Sequence, residues 1–144
     1  MHYWDTSTLA KLYVGEPDSG LFLAHLAAGV PGVTSELTRW ELFRVVARKE
    51  AEGMIGAGQA ETVFARFQSD VAAGRLTLLP FNQAVEIRYQ ELVLRLHRLR
   101  PAVAARTLDC IHLASAHLAG VEEVVVTDAG FRKAALAVGL KVFP

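Results

Sequence analysis

The sequence predicts an α/β fold, a parallel sheet covered by helices. Short apolar segments alternate along the chain with longer segments of helical period, as sheet and covering helices do. The 144 residues are 52% hydrophobic, enough for one domain with one substantial core. Turn and cap residues fall between these segments, and no linker, repeat or low-complexity tract interrupts them.

The expected strands are HYW (2–4), GVT (32–34), RLTLLP (75–80), EVVVT (123–127) and KVF (141–143). The expected helices are TLAKLYV, GLFLAHLA, SELTRWELFRVVARKEAE, AGQAETVFARFQSDVAAG, NQAVEIRYQELVLRLHRLR, TLDCIHLASAHLA and AGFRKAALAVG. Ser35 and Asn82 stand at N-cap positions. Gly74, Gly120 and Gly139 stand where helices end, and Pro101 separates two helices. The helices at 35–52 and 57–73 are expected to form an antiparallel hairpin with EGMIGAG as its turn.

Composition narrows the function classes. The formal net charge is zero, so a nucleic-acid or membrane partner has to be held by a local patch. One cysteine, Cys110, excludes an internal disulfide. The start MHYWDT lacks a secretory leader and no apolar run is long enough to suggest a membrane span, so a soluble cytoplasmic protein is expected.

Four of the fifteen acidic residues stand in awkward places. Asp5 and Asp128 each follow a strand and begin a helix, so a parallel sheet puts both on the edge where such folds bind ligands. Glu41 shares a helical stripe with Leu37 and Val45, and Asp109 lies in the first turn of TLDCIHLASAHLA. Each has an ordinary reading alone: Asp5 and Asp128 as N-caps, Asp109 as a charge stabilised by the helix dipole, Glu41 as a solvated flank. Together they require something positive, because converging carboxylates repel. A hard divalent cation, Mg²⁺ or Mn²⁺, meets that need and can activate water. No thiol or histidine cluster competes: His112 and His117 are five apart, and both read as surface or packing residues.

The motifs that carry these acids resemble those of the PIN-domain ribonucleases, and within them the VapC-type toxins of toxin–antitoxin pairs. WDTSTLAKLYVGEPDS is similar to the family opening, with Asp5, Ser7, Lys11, Tyr13 and Glu16 in place. TSELTRWELFRVVARK matches the helix whose acid is Glu41, RTLDCIHLASAHLAG the helix whose acid is Asp109, and VVVTDAGFRKAALAVGLKV the closing segment, whose acid is Asp128. Cys110 replaces the usual alanine after the third acid, and Thr127 directly precedes Asp128 where many relatives leave one residue between.

The resemblance implies one domain over residues 1–144, a three-layer α/β/α sandwich with a central mostly parallel sheet, and Mg²⁺-dependent hydrolysis of RNA phosphodiesters, with Mn²⁺ able to substitute. It casts Asp5, Glu41, Asp109 and Asp128 as catalytic metal-site residues and Ser7 as a hydrogen-bond partner behind Asp5. It also implies a homodimer and a small antitoxin partner whose tail enters the acidic groove.

Positive charge flanks the proposed centre. Arg88, Arg95, Arg98, Arg100 and Arg106 precede or enter the Asp109 helix, and Arg39, Arg44, Arg48 and Lys49 ride on that of Glu41. Arg39, Arg98, Arg100 and Arg106 are the candidate contacts to RNA or antitoxin, though charge runs are commonly plain solvated faces. Trp4 and Trp40 read as core or interface residues. The early helices carry apolar side chains in excess of what one thin sheet covers. Three other readings compete: a catalytically silent PIN-like binding module, a housekeeping nuclease without an antitoxin, and an aspartyl-phosphate phosphatase, which wants an Asp where Ser7 stands.

Overall fold

The alternation of side chains along the strands divides the molecule into layers. The computed structural model describes residues 1–144. Its elements, in chain order, are β1 (His2–Trp4), α1 (Thr6–Ala10), α2 (Ser19–Ala27), β2 (Gly32–Ser35), α3 (Thr38–Ala51), α4 (Gln59–Ala72), β3 (Leu76–Leu79), α5 (Gln83–Arg98), α6 (Thr107–Leu118), β4 (Glu123–Val125), α7 (Ala129–Ala137) and β5 (Lys141–Phe143). Tyr3 and Val124 face one way into a core shared with α5, α6 and α7. Their neighbours Trp4 and Val125 face the other way, into a core shared with α1 to α4. Successive strand residues point to opposite faces, so one thin sheet nucleates two cores and a three-layer sandwich results.

The strand order is β3-β2-β1-β4-β5 and every pairing is parallel, where the sequence led us to expect a mostly parallel sheet. From β1 the chain moves outward to β2 and β3, then returns to β4 on the other side of β1. The order reverses between β1 and β4, and the crevice beyond the carboxyl ends of such a pair is where open α/β sheets bind ligands. Asp5 and Asp128 stand there.

All the expected strands and helices form; β1 and β5 keep their expected bounds and the other elements shift at one or both ends. Ser35 is the main correction: it ends β2 rather than capping α3, and its hydroxyl accepts the Leu37 amide at 3.2 Å, so it shapes the turn. Pairing with Leu79 extends β2 by that residue and delays the helix to Thr38. Asn82 does cap α5, accepting from Ala84 and Val85 amides. The turn between α3 and α4 reverses through Gly53 and Gly58 at φ 72° and 75°, conformations that only glycine adopts cheaply. Glu50 reaches across it to accept the Ala60 amide at 2.7 Å, satisfying a donor at the start of α4.

Candidate metal centre

Both strand-end aspartates are helix caps, and the capping is what aims them. Asp5 has extended backbone (φ −67°, ψ 149°), and its Oδ2 accepts from the Ser7 amide at 3.1 Å and from the Ser7 hydroxyl. Asp128 accepts the Phe131 amide on Oδ1 at 2.9 Å. A Cβ on Gly130 would stand 3.2 Å from that same oxygen, so a small residue belongs there. In each case the cap engages one oxygen and fixes the carboxylate; the other oxygen of Asp5 is free of protein partners, and that of Asp128 accepts from Arg106.

Glu41 is fixed from behind. Its Oε2 accepts from Thr6 Oγ1 at 2.5 Å and lies 2.7 Å from His112 Nε2. A carboxylate only accepts, so Nε2 carries the proton. The other ring nitrogen of His112 lies 2.6 Å from the Tyr3 hydroxyl. Tyr3 and His112 are buried, so this chain from β1 through α6 to α3 is shielded from water on the inner side of the site. Thr6 and His112 were not among the residues singled out from the sequence. His112 is a packing residue as expected, yet it also lines the cleft. Its place one helical turn after Asp109 is the signal that could have found it.

Asp109 and Asp128 are joined by Arg106. The guanidinium donates to Asp109 through Nε at 2.9 Å and Nη2 at 3.2 Å, and to Asp128 through Nη2 at 3.0 Å. Asp109 also accepts the Arg106 amide at 3.3 Å, closing the N-terminus of α6. Its carboxylate is thus oriented from the helix start, as an acid in the first turn is.

The four acids meet in one open cleft of about 850 Å³, lined also by Thr6, Ser7, Arg44, Arg106, His112 and Thr127. Of the four arginines singled out, Arg106 lines it; Arg39, Arg98 and Arg100 do not. Arg100 instead donates to the carbonyls of His97, Arg98 and Leu99, folding back on its own turn. Lys49, grouped with the flanking charges by sequence, is turned inward: it is buried and pairs with Glu16 at 2.7 Å. Trp4 is core, whereas Trp40 is 66% exposed on α3 beside exposed Phe43.

The electrostatics fit a cation. Burial pushes the Asp5 carboxyl above its ordinary value, against the Ser7 bonds, and Asp5 has no ion-pair partner. Burial also acts to raise Glu41, but the His112 bond and charge, with Thr6 and Arg106, outweigh it and hold Glu41 below its ordinary value. Asp109 and then Asp128 hold Arg106 more firmly protonated than a free guanidinium. The donor set is therefore four carboxylates, all oxygen, one of them desolvated and without an ion pair. This is the donor chemistry of Mg²⁺ or Mn²⁺. The expectation that no histidine cluster exists needs correction, because His2, His25 and Glu123 come together at the opposite edge of the sheet.

The PIN domain model matches residues 3–136. Ribonuclease VapC47 of Mycobacterium tuberculosis (strain CDC 1551 / Oshkosh) is 38% identical over 120 residues, spanning 81% of this chain and 74% of the relative. Ribonuclease VapC46 of M. tuberculosis (strain ATCC 25618 / H37Rv) is 31% identical over 142 residues, spanning 97% of this chain and 94% of the relative. Among solved structures, FitAcB from Neisseria gonorrhoeae superposes with a TM-score of 0.74 at 22% identity, covering 100% of this chain and 97% of that one. VapBC2 from Rickettsia felis, bound to a promoter DNA fragment, superposes at 0.67 and 17% identity, covering 99% and 98%. The two structures share the fold. A parallel sheet whose reversal point gathers Asp5, Glu41, Asp109 and Asp128, together with a family match over nearly the whole chain, places this protein in the PIN-domain family, among its VapC-type members.

Proposed function

We propose that this chain is an endoribonuclease toxin that hydrolyses RNA phosphodiester bonds with a divalent metal, Mg²⁺ or Mn²⁺, and is neutralised by a small antitoxin in the cytoplasm. The observation that carries this reading is the convergence of Asp5, Glu41, Asp109 and Asp128 in one open cleft. Both curated relatives described above are named ribonucleases.

Asp5, Glu41, Asp109 and Asp128 would hold the metal, which when bound supplies an acidified water and stabilises charge growing on the phosphate. The protein's own residues do the rest. Ser7 and the α1 amide fix the Asp5 carboxylate, and Thr6 with His112 fix Glu41. His112 and Thr6 both engage Oε2, which keeps Glu41 ionised in a half-buried position. Arg106 lies at the cleft mouth with 71% of its side chain exposed, within reach of an RNA phosphate, and Arg44 lines the same cleft. The cleft is open and polar, suited to backbone tracking more than to enclosing a single base.

The partner reading rests on exposed apolar surface. Leu21, Leu23 and Leu26 of α2 are 47%, 49% and 37% exposed, and Leu23 and Leu26 also line an apolar groove with Trp4, Leu9 and Leu12. Such a groove suits an amphipathic antitoxin helix, and the remaining exposed face suits a second copy of the chain. No helix is long and apolar enough to cross a membrane.

The test is induction of the chain in its host, with sequencing of newly formed RNA ends. Wild-type chain is expected to arrest growth and produce recurrent ends in one RNA class, both relieved by the adjacent small open reading frame and both missing with Asp109→Asn. Growth arrest with unchanged RNA ends would favour a silent binding module, and RNA ends indifferent to the adjacent gene would favour a housekeeping nuclease.

A further inference from the structure

The parallel register that puts Asp5 and Asp128 at one edge of the sheet puts a different cluster at the other. His2 opens β1 and Glu123 opens β4, and their Cα atoms are register partners on adjacent strands. His25, from α2, closes over them: its Nε2 lies 2.8 Å from Glu123 Oε1, and His2 Nδ1 lies 3.6 Å from the same oxygen. The three ligand atoms all fall within 4.8 Å of one another. Three residue steps along the chain, about 10 Å, separate His2 from Asp5.

We propose that His2, His25 and Glu123 form a second metal site, independent of the acidic cleft, that takes a borderline transition cation of the Zn²⁺ class through two imidazoles and one carboxylate.

An ordinary ion pair does not account for the arrangement. His25 Nε2 and Glu123 Oε1 are both hidden from water, yet neither makes a hydrogen bond although they are 2.8 Å apart. Contact at that distance without alignment leaves an N–H and a carboxylate oxygen each unsatisfied, which is costly. A cation between them uses the lone pairs of both. With bonds of about 2.0–2.1 Å, tetrahedral ligands stand about 3.4 Å apart. The two Glu123 contacts, at 2.8 and 3.6 Å, bracket that spacing, and the three atoms lie within 4.8 Å of one another, so a bound ion draws them slightly closer together.

His25 is held in place by stacking on Phe143 of β5, at 3.7 Å between centroids and 11° between planes. His2 lies nearly parallel to His25 (4.8 Å, 14°), and an imidazole lone pair lies in the ring plane, so binding turns the His2 ring to bring Nδ1 onto the same ion. Two nitrogens and one oxygen select a zinc-like ion and disfavour Mg²⁺, which prefers oxygen alone. A bound ion would clasp α2 onto the start of β1 and β4, at the end of the sheet remote from the proposed chemistry.

The test uses the full chain, stripped with EDTA and titrated with Zn²⁺ against a chromophoric chelator in millimolar Mg²⁺, added to compete for the acidic cleft. The expected result is one zinc per chain, with affinity falling at least about tenfold in Glu123→Gln and in His2→Asn. Both substitutions spare the stacked His25 ring, and circular dichroism of the metal-free variants confirms folding. Asp109→Asn is expected to bind zinc like the wild type, and Zn²⁺ is expected to raise the melting temperature of wild type but not of Glu123→Gln. Equal zinc affinity in wild type, Glu123→Gln and His2→Asn would overturn the proposal, as would zinc binding lost in Asp109→Asn but kept in Glu123→Gln. These results are separable from any test of RNA cleavage.

Discussion

His112 Nε2 lies 2.7 Å from Glu41 Oε2, so α6 and α3 are joined at the inner side of the cleft by a ring that water does not reach. Because the other nitrogen of that ring meets the Tyr3 hydroxyl at 2.6 Å, one side chain ties three elements of the fold to one acid of the site. Glu41 is consequently oriented by the core rather than by solvent.

Removing that ring leaves the buried Tyr3 hydroxyl without its partner and leaves Glu41 Oε2 with Thr6 alone. His112→Ala is expected to destabilise the protein by about 1–3 kcal/mol, from loss of the hydrogen bonds to Glu41 and Tyr3. Cleavage by the variant is expected to fall about 10–100-fold through misplacement of Glu41. Urea unfolding and RNA cleavage on the same preparations check both, and His112→Gln, which keeps one donor, is expected to recover part of each.

Asp5 makes the opposite trade. Its carboxyl is raised by burial, so the ionised form costs stability at neutral pH. Asp5→Asn retains an acceptor for the Ser7 amide and removes the charge. The variant is expected to melt a few degrees higher than wild type in EDTA while losing cleavage by about 10²-fold or more. Calorimetry with and without Mg²⁺ reads the exchange directly.

The acid limb of stability reports Glu41. Its folded pKa lies below the ordinary 4.5, so its contribution is fully present above that value and is lost as pH falls through the lowered one. Asp5, whose pKa is raised from 3.8, works in the other direction and regains stability as pH falls. Glu41→Gln is therefore expected to flatten the loss of stability below about pH 4.5, and Asp5→Asn to steepen it. Denaturant midpoints across that range distinguish the two.

Arg106 neutralises two acids assigned to the proposed cation, lying 3.0 Å from Asp128 and 2.9 Å from Asp109. Arg106→Gln is expected to bind Mn²⁺ more tightly than wild type, because the ion no longer competes with a guanidinium. The same variant is expected to bind RNA more weakly, with a salt dependence shallower by about one phosphate contact. Metal titration followed by filter binding at several salt concentrations separates these effects.

The inward turn of Lys49 has its own consequence. Its ammonium pairs with Glu16 at 2.7 Å, with only 9% and 17% of the two side chains exposed. Breaking a largely buried pair from one side leaves an uncompensated charge, so Glu16→Gln is expected to cost about 3–5 kcal/mol, measured by urea unfolding.

The convergence of the four acids on one cleft was legible from sequence for a definite reason. Asp5 and Asp128 follow apolar strands, where chain geometry alone places them on one sheet edge, and Glu41 interrupts an apolar stripe. His112 was passed over as a site residue because α6 is buried from Asp109 through Ala116 apart from half-buried Ile111, so no polar face sets it apart and its spacing from Asp109 is the one local signal it carries. Lys49 looked like surface charge because its partner lies thirty-three positions away on another segment. The His2, His25 and Glu123 cluster depends on strand register and on how α2 lies across the sheet, which no local pattern encodes. Ser35 misled because a serine before a helical stripe reads as a cap, while pairing with Leu79 carried it into the strand.

The activity proposed for the four-acid cleft is cleavage of RNA through a hard divalent metal. Its most direct test is cleavage of total RNA by purified, antitoxin-free chain in Mg²⁺, in Mn²⁺ and in EDTA, beside folded Asp109→Asn. Discrete fragments that require both the metal and Asp109 are the predicted result. RNA left intact by folded wild-type protein in either metal, or cleavage that survives EDTA and Asp109→Asn, would contradict it.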